Sequence, residues 1–164
     1  MGLVTFIGDR RELEVLTFSL QGEVFALEAD MVREILDLVP VTEVPNSRPF
    51  VHGLINVRGK VVPLADLRLR LGIEARPPTI DTRIIVLETQ VDGETTTVGI
   101  LADKVFEVTQ IAAAVMEDAP SIGLKMRKDF IGGIGKRDRQ FIIILDIERI
   151  FSSADKVSVG SEPL

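Results

Sequence analysis

The feature that most constrains the fold of this chain is a weak internal repeat. The motif ADxVxEI at residues 29–35 recurs as ADxVxEV at 102–108, and FVxGL at 50–54 recurs as FIxGI at 130–134. A chain of 164 residues therefore divides into two small units, each of which would bury too little apolar surface to be stable alone. We predict that the two units share an apolar seam and that their pairing leaves a groove along it.

Short runs of alternating or β-branched residues predict that each unit is a small closed barrel of strands, with a few short helices. The fold class is therefore all-β. The predicted hairpins pair residues 16–20 with 24–27, 82–89 with 95–101, and 130–135 with 140–145. The predicted boundaries are 1–13 for an N-terminal segment, 14–75 and 80–151 for the two barrels, and 152–164 for a tail.

Four aspartates are predicted to cap short helices or turns, and these are Asp30, Asp66, Asp103 and Asp146. The helix after Asp30 is inferred from apolar side chains spaced four apart, Met31 with Ile35 and Val32 with Leu36. Gly72 is predicted to end the helix after Asp66. A strand is predicted over residues 36–44, a capped turn or helix over 103–108, and a loop over 117–128.

Composition excludes several classes of function. The chain has no cysteine and one histidine, so we predict no metal site and no cofactor. A net charge of −6 and the lack of Tyr and Trp argue against binding of nucleic acid. Two alternatives stay open: a small RNA-binding barrel that uses the basic segment 125–139, and a hydrolase with His52 as general base. Because no nucleophile or orienting carboxylate accompanies His52 in the sequence, we predict that the protein is not an enzyme.

Residues 45–68, PNSRPFVHGLINVRGKVVPLADLR, form the most specific motif in the chain. Two apolar strands flank a tight turn at Arg58-Gly59, which holds an arginine at the hairpin tip. The second copy has KRDR at 136–139, predicted to be an ordinary solvated turn, and this difference favours a binding role for Arg58. The spaced pattern of this segment resembles the CheW family, the coupling proteins of bacterial chemosensory arrays, and the resemblance extends from about residue 14 to residue 151.

The resemblance implies two five-stranded SH3-like β-barrels packed side by side, without catalytic activity. Members of the family couple transmembrane chemoreceptors to the histidine kinase CheA, and the helical hairpin tip of the receptor lies in the groove between the barrels. By motif match, the receptor-facing residues are Val32, Glu34, Gly53, Asn56, Arg58, Val105 and Val108. The surface for the regulatory domain of the kinase is assigned to Val41, Thr42, Glu43 and Val44.

The resemblance also implies a cytoplasmic protein that joins receptor arrays at the inner membrane through its partners. The N-terminus agrees, because its apolar patch has no basic region before it. Neither a receiver domain nor kinase parts are in the sequence, which favours a stand-alone coupler for flagellar motility or another chemosensory system. The acidic Asp37 and Glu43 leave open which receptor and kinase paralogue it serves. Strand exchange between the barrels also stays open.

Overall fold

The computed structural model describes residues 10–45, 50–115, 128–137 and 139–151, and the structural statements below concern these residues. They form ten strands and two short α-helices. In chain order these are β1 (Arg10–Leu20), β2 (Glu23–Glu28), β3 (Val32–Leu36), β4 (Val51–Val57), β5 (Lys60–Ala65), α1 (Leu67–Leu71), β6 (Arg83–Val91), β7 (Glu94–Ala102), β8 (Lys104–Val115), β9 (Ile131–Arg137), β10 (Gln140–Leu145) and α2 (Ile147–Phe151). The predicted loop at 117–128 and tail at 152–164 lie almost entirely outside the described residues, as does most of the segment 1–13.

The strands build two five-stranded units, which confirms the all-β prediction. One is a closed barrel in the order β1-β2-β10-β9-β8, here called the terminal barrel. The other, the central sheet, has the order β3-β6-β7-β5-β4. Within the central sheet, β3 and β4 are the edge strands, and an isolated bridge between Thr42 and Leu54 extends the β4 edge.

The two units do not follow the boundaries 14–75 and 80–151, because the two halves of the chain exchange their first hairpins. Strands β1 and β2 join β8–β10, while β6 and β7 join β3–β5. The chain crosses after each hairpin at the repeated AD motif, through a 3₁₀ turn at Ala29–Met31 and through Asp103, whose amide donates to the carbonyl of Ser19 at 2.9 Å. Short parallel pairings of β2 with β10 and of β5 with β7 hold the exchanged hairpins.

A single apolar cluster joins the two units, as the repeat predicts. This cluster, here called the seam, takes side chains from β1, β2 and α2 and from β5, β6, β7 and α1. Its largest members are Phe18, Phe25, Phe50, Phe130 and Phe151, each 5% exposed or less. Each unit also has a smaller interior cluster of its own. The seam is therefore the main core of the molecule, and neither unit has a comparable core alone.

Arg70 lies between equivalent residues of the two halves. Its guanidinium is 5.2 Å from the ring centroid of Phe50 and 4.7 Å from that of Phe130, and its Nε donates to the carbonyl of Ile150 at 3.0 Å. The Phe50 and Phe130 carbonyls accept from the amides of Asp66 and Asp146, both at 2.8 Å. Equivalent residues of the two halves, Phe50 with Phe130 and Asp66 with Asp146, therefore make equivalent contacts on either side of Arg70.

The predicted turn at Arg58-Gly59 and the predicted caps at Asp66 and Asp146 are confirmed. The caps predicted at Asp30 and Asp103 are not: no side-chain hydrogen bond caps the 3₁₀ turn that contains Asp30, and the Asp103 carboxylate accepts from Gln21 and Arg68 instead. The β4–β5 turn has positive φ at both Arg58 (53°) and Gly59 (85°), as type I′ hairpin turns require. The Asp66 carboxylate accepts from the amide of Arg68 at 3.1 Å, and Gly72 ends α1 with a φ of 75°. The Asp146 carboxylate accepts from the amide of Arg149 at 3.2 Å.

The helices predicted after Asp30 and over 103–108 are wrong, because strands β3 and β8 occupy most of these positions. Both strands contain a β-bulge, one between Val32 and Glu34 and the other opposite Leu16 and Phe18. The extra residue changes the spacing between side chains on one face of the strand from two residues to three. A spacing of three residues is also typical of one face of a helix, so the sequence pattern resembled a helix. The strand predicted over 36–44 is also wrong: β3 ends at Leu36, and only Thr42 pairs further on.

Candidate functional site

The two bulged strands expose apolar side chains beside the seam. On β3, Val32 and Ile35 pair with Leu87 and Ile85, which belong to the seam cluster. On β8, Val105 and Val108 pair with Phe18 and Leu16, which also belong to it. Val32 and Val105 pack against the cluster, whereas Ile35 and Val108 are exposed. We call these four residues, Val32, Ile35, Val105 and Val108, the seam edge.

Ile35 was missing from the predicted receptor-facing set, although the repeat aligns it with Val108. The equivalence of Val108 and Ile35 in the two copies was therefore the signal that could have found it. The predicted helix instead placed Ile35 on a buried stripe.

Arg58 and Glu34, predicted separately, form one bidentate ion pair. Arg58 Nε donates to Glu34 Oε2 at 3.1 Å, and Arg58 Nη2 donates to Oε1 at 3.0 Å. The pair joins edge strand β3 to the β4–β5 turn at the opposite edge of the central sheet. Arg58 is 79% exposed and Glu34 24% exposed, so the arginine is the accessible partner. We call this pair the first clamp.

The first clamp shifts the titration of both members. The hydrogen bonds from Arg58 hold the pKa of Glu34 below its ordinary value of 4.5; dehydration opposes this effect and charge attraction adds to it. The same hydrogen bonds raise the pKa of Arg58. The carboxylate is therefore charged, and the contact intact, at neutral pH.

A pH titration of Glu34 tests this geometry. Because its pKa is lowered in the folded state, the contribution of the first clamp to stability is present above pH 4.5 and is lost as the pH falls through the folded pKa. Carboxyl NMR should give a Glu34 midpoint below 4.5, and Arg58→Gln should raise it. Arg33→Gln, which removes the neighbouring Arg33–Glu88 pair, should leave it unchanged. A wild-type midpoint at or above 4.5 would contradict the bidentate contact.

Gly53 and Asn56 of the predicted set shape the backbone around the first clamp. The Asn56 side-chain oxygen accepts from the amide of Gly59 at 2.8 Å and so stabilises the turn that carries Arg58. A Cβ at Gly53 would lie 2.5 Å from the carbonyl oxygen of Thr42 and 2.6 Å from Val41 Cγ1. Gly53 therefore permits the close approach of residues 41–42 to β4.

The segment predicted to face the kinase is held on β4 by backbone hydrogen bonds. The amides of Thr42 and Leu54 each donate to the carbonyl of the other residue, both at 2.8 Å. Val41 packs against the interior cluster of the central sheet, while Thr42 and Glu43 are exposed and Val44 is half-buried. The segment thus presents a short extended ridge with one acidic side chain.

The second half of the chain has an equivalent ion pair, between Glu107 on β8 and Arg137 at the end of β9. Glu107 aligns with Glu34 in the repeat, and Arg137 lies next to the position that aligns with Arg58. The hairpin over 136–139 therefore carries an ion pair, whereas the sequence predicted only a solvated turn. The difference between the two hairpin tips no longer favours a binding role for Arg58, and that role rests on exposure and geometry instead.

The structure adds nothing in favour of the hydrolase or RNA alternatives. His52 is exposed at the rim of an apolar cavity of about 550 Å³. The nearby Asp66 carboxylate is held by both Nε and Nη2 of Arg68, each at 2.9 Å, so it is not placed to orient the imidazole. Within the described ranges, no cluster of His, Asp and Glu could hold a metal ion.

In the basic segment, Arg137 is paired with Glu107, and residues 125–127 and 138 lie outside the described residues.

No helix in the described part of the chain is long and apolar enough to span a membrane.

Comparisons with known proteins agree on one family. The family model for the CheW-like domain matches residues 14–155. The probable chemotaxis protein CheW of Rhizobium etli is 31% identical over 148 residues, covering 90% of this chain and 91% of that protein. The chemotaxis protein CheW of Thermotoga maritima is 32% identical over 140 residues, covering 85% and 88%.

A solved structure leads to the same family. The crystal structure of the scaffolding protein TtCheW from Thermoanaerobacter tengcongensis superposes with a TM-score of 0.71 at 31% identity, covering 88% of this chain and 95% of that one. Since the family model covers most of the sequence and the fold matches, this chain belongs to the CheW family.

Proposed function

We propose that this protein is a non-catalytic scaffold that couples chemoreceptors to the kinase CheA in a bacterial chemosensory array. Family membership supports the scaffold role in chemotaxis. The receptor site is proposed from the position of the first clamp. The exposed Arg58 pairs with Glu34, and Glu34 lies on β3, the strand that also carries Val32 and Ile35 of the seam edge. A helical segment with an apolar stripe could dock there, and its polar residues would meet Arg58.

Binding at this site exchanges one contact for another. Arg58 is bound to Glu34 through two hydrogen bonds, but its guanidinium is largely solvent-exposed. A carboxylate or carbonyl on the partner can therefore add to the pair or replace Glu34 without exposing a buried charge. Each such contact is weak, and an array multiplies weak contacts through effective concentration. Coupling would then depend on the geometry of the scaffold more than on the affinity of any single contact.

The kinase contact is assigned to residues 41–44. Their backbone is fixed by the Thr42–Leu54 bridge and by the close approach at Gly53. The 41–44 segment contacts β4, and the first clamp includes Arg58 in the turn that follows β4. The central sheet would therefore carry the receptor surface and the kinase surface on one rigid element. The rigid connection supports a scaffold that transmits the relative position of two partners.

Charge reversal at Arg58 tests the receptor site. Arg58→Glu should fold normally, because the residue is exposed, and should weaken binding to receptor-containing membranes about tenfold or more, since the reversed charge repels the group that Arg58 attracts. Co-sedimentation with those membranes, with and without CheA, measures the loss. Arg76→Glu, at another exposed arginine, is the control and should bind as the wild type does.

A charge swap separates binding from a purely structural role. The double variant Glu34→Arg, Arg58→Glu restores an ion pair across the same two edges of the central sheet. If the first clamp contacts the receptor, the double variant stays defective. If the double variant binds as the wild type does, the pair only stabilises the sheet and the receptor site lies elsewhere.

A further inference from the structure

The apolar cavity beside His52 lies apart from the seam. Its volume of about 550 Å³ is within the range of about 300–1,000 Å³ that is typical of sites for small molecules. None of the described residues that line it belongs to the seam cluster or to the seam edge. Its floor includes Leu64 on β5 and Leu101 on β7, which are part of the interior of the central sheet. A ligand in this cavity would therefore occupy a site separate from the predicted groove along the seam.

Two chain segments form the walls of this cavity. Apolar residues line it from both, namely Leu38, Val39 and Val41 in one segment and Ala75, Pro77 and Pro78 in the other. The first segment is fixed by the backbone bridge between Thr42 and Leu54. The second is part of the linker between α1 and β6, residues 73–82, here called the strap. The space between the walls is therefore mainly apolar.

The strap is held in a shape that leaves the cavity open. The carbonyl of Arg76 accepts from Nη1 of Arg68 at 3.1 Å, and the amide of Thr79 donates to the hydroxyl of the buried Thr82 at 2.8 Å. Between these two anchors, the proline rings at 77–78 lock the φ angles of the backbone. A stiff strap that is anchored on both sides cannot sink into the cavity and fill it. The cavity is therefore preformed.

Two of the polar side chains at the cavity are already used by the fold. Asp66 is 5% exposed and Arg68 10% exposed. The Asp66 carboxylate accepts from both Nε and Nη2 of Arg68, each at 2.9 Å. The two charges neutralise each other, so this pair offers a ligand no net charge.

The exposed polar side chains at the cavity are hydrogen-bond donors. They belong to His52 and Arg76. The guanidinium of Arg76 is 65% exposed, and its contact with the exposed Glu74 is long, at 3.9 Å. With the amide of Gln21 turned so that its oxygen faces Arg76, this oxygen accepts from Nε at 2.8 Å. An exposed ion pair and a neutral amide are weak competitors for an anion, so Arg76 is available to one.

We propose that this cavity binds a small carboxylic acid that has an apolar chain. The chain occupies the space between the strap and the floor at Leu64 and Leu101. The carboxylate stays at the solvent-exposed mouth, where it accepts from Arg76 and from His52. Burial of the chain supplies most of the affinity, and the positive charge of Arg76 selects an acid over an alcohol or an amine. The inference does not rest on the proposed receptor site, because it uses neither the first clamp nor the seam edge.

Titration of the full chain with octanoate tests the proposal. Methyl NMR signals of Leu64 and Leu101 should shift and reach saturation with a Kd of about 1 mM or below, as expected for a ligand of this size. Octanol and octylamine have the same chain with a neutral or positive end. Each should bind at least about fivefold more weakly than octanoate.

Two variants separate the contact with the carboxylate from the apolar cavity. Arg76→Gln should raise the Kd for octanoate about fivefold and leave that for octanol unchanged, because only the acid uses the charge. Ala75→Leu, at an exposed residue of the strap, adds side-chain volume to the wall and should weaken both ligands about fivefold or more. Arg33→Gln, at an exposed arginine on β3, is the matched control and should bind octanoate as the wild type does.

Three outcomes would overturn the inference. Equal binding of octanol and octanoate would mean that the cavity does not recognise an acid. An unchanged Kd in both Arg76→Gln and Ala75→Leu would place octanoate elsewhere on the protein. Shifts of the methyl signals of Val105 and Val108 in place of those of Leu64 and Leu101 would show an adventitious additive only, bound to the seam edge. None of these results bears on the first clamp, which Arg58→Glu tests in a separate assay.

Discussion

Arg68→Met should destabilise the protein by about 3 kcal/mol or more, because it leaves a buried carboxylate without its partner. The Arg68 side chain is only 10% exposed. Its guanidinium donates twice to Asp66, once to Asp103 at 3.1 Å and once to the carbonyl of Arg76 at 3.1 Å. The hydrogen bonds to Asp66 are the main reason that the pKa of Arg68 is raised. Burial lowers this pKa, and attraction to the charges of Asp66 and Asp103 raises it further.

The same network connects the two units. Asp103 accepts from Arg68 with one carboxylate oxygen and from the amide of Gln21, in the β1–β2 turn, with the other at 2.5 Å. Arg68 thus links α1, next to the central sheet, to the terminal barrel through a single side chain. Its loss should therefore weaken the attachment of the exchanged hairpin as well as α1.

Thermal unfolding measures the effect of Arg68→Met. A loss of about 3 kcal/mol should lower the Tm by about 6–12 °C for a chain of this size. Arg33→Met, which removes the exposed Arg33–Glu88 pair, is the control and should change stability by no more than about 0.5 kcal/mol. Equal and small shifts for both variants would show that the Arg68 network does not hold the units together.

Gly53→Val should cost about 1–3 kcal/mol and detach residues 41–44 from β4. The obstacle is a backbone carbonyl, Thr42 O, at 2.5 Å from the added Cβ, and a carbonyl in a paired segment cannot rotate away as a side chain can. The Thr42–Leu54 bridge must therefore open. The ridge at residues 41–44, proposed above as the kinase contact, would lose its fixed shape, although none of its own residues is changed.

Hydrogen exchange locates this change. The amides of Thr42 and Leu54 should lose protection in Gly53→Val, while the amide of Asp66, bound to the carbonyl of Phe50, should keep it. Gly132→Ala is the control, because its added Cβ would meet no atom closer than 3.6 Å. CheA binding should fall in Gly53→Val alone. Retained protection at both amides would mean that the segment accommodates the side chain.

The sequence by itself determined part of the local structure of this protein, namely its turns and the ends of α1. Turn chemistry at Arg58-Gly59 predicted the β4–β5 hairpin, and Asp66 with Gly72 marked both ends of α1. These features depend on backbone preferences and on contacts within a few residues, so they can be read without the fold. The repeat also predicted the shared seam, because two such small units have too little core to be stable separately.

The candidate site was predictable only in part. Motif resemblance identified Glu34 and Arg58, but not that they bind each other across the two edges of the central sheet. The bulges in β3 and β8 hid the strand pattern, because an extra residue turns a period of two into a spacing of three. Ile35 was overlooked for this reason, and the pairing of Glu107 with Arg137 had no signal within either copy.

Only the tertiary structure decided which hairpin belongs to which unit. Both halves contain the same sequence of strands, so β1–β2 could complete either unit with the same local pattern. The choice depends on contacts between residues far apart in the chain, such as the pairing of β1 with β8 and the contact of Asp103 with Arg68. Periodicity and turn residues describe each strand and its neighbours in sequence, and they do not record these long-range contacts.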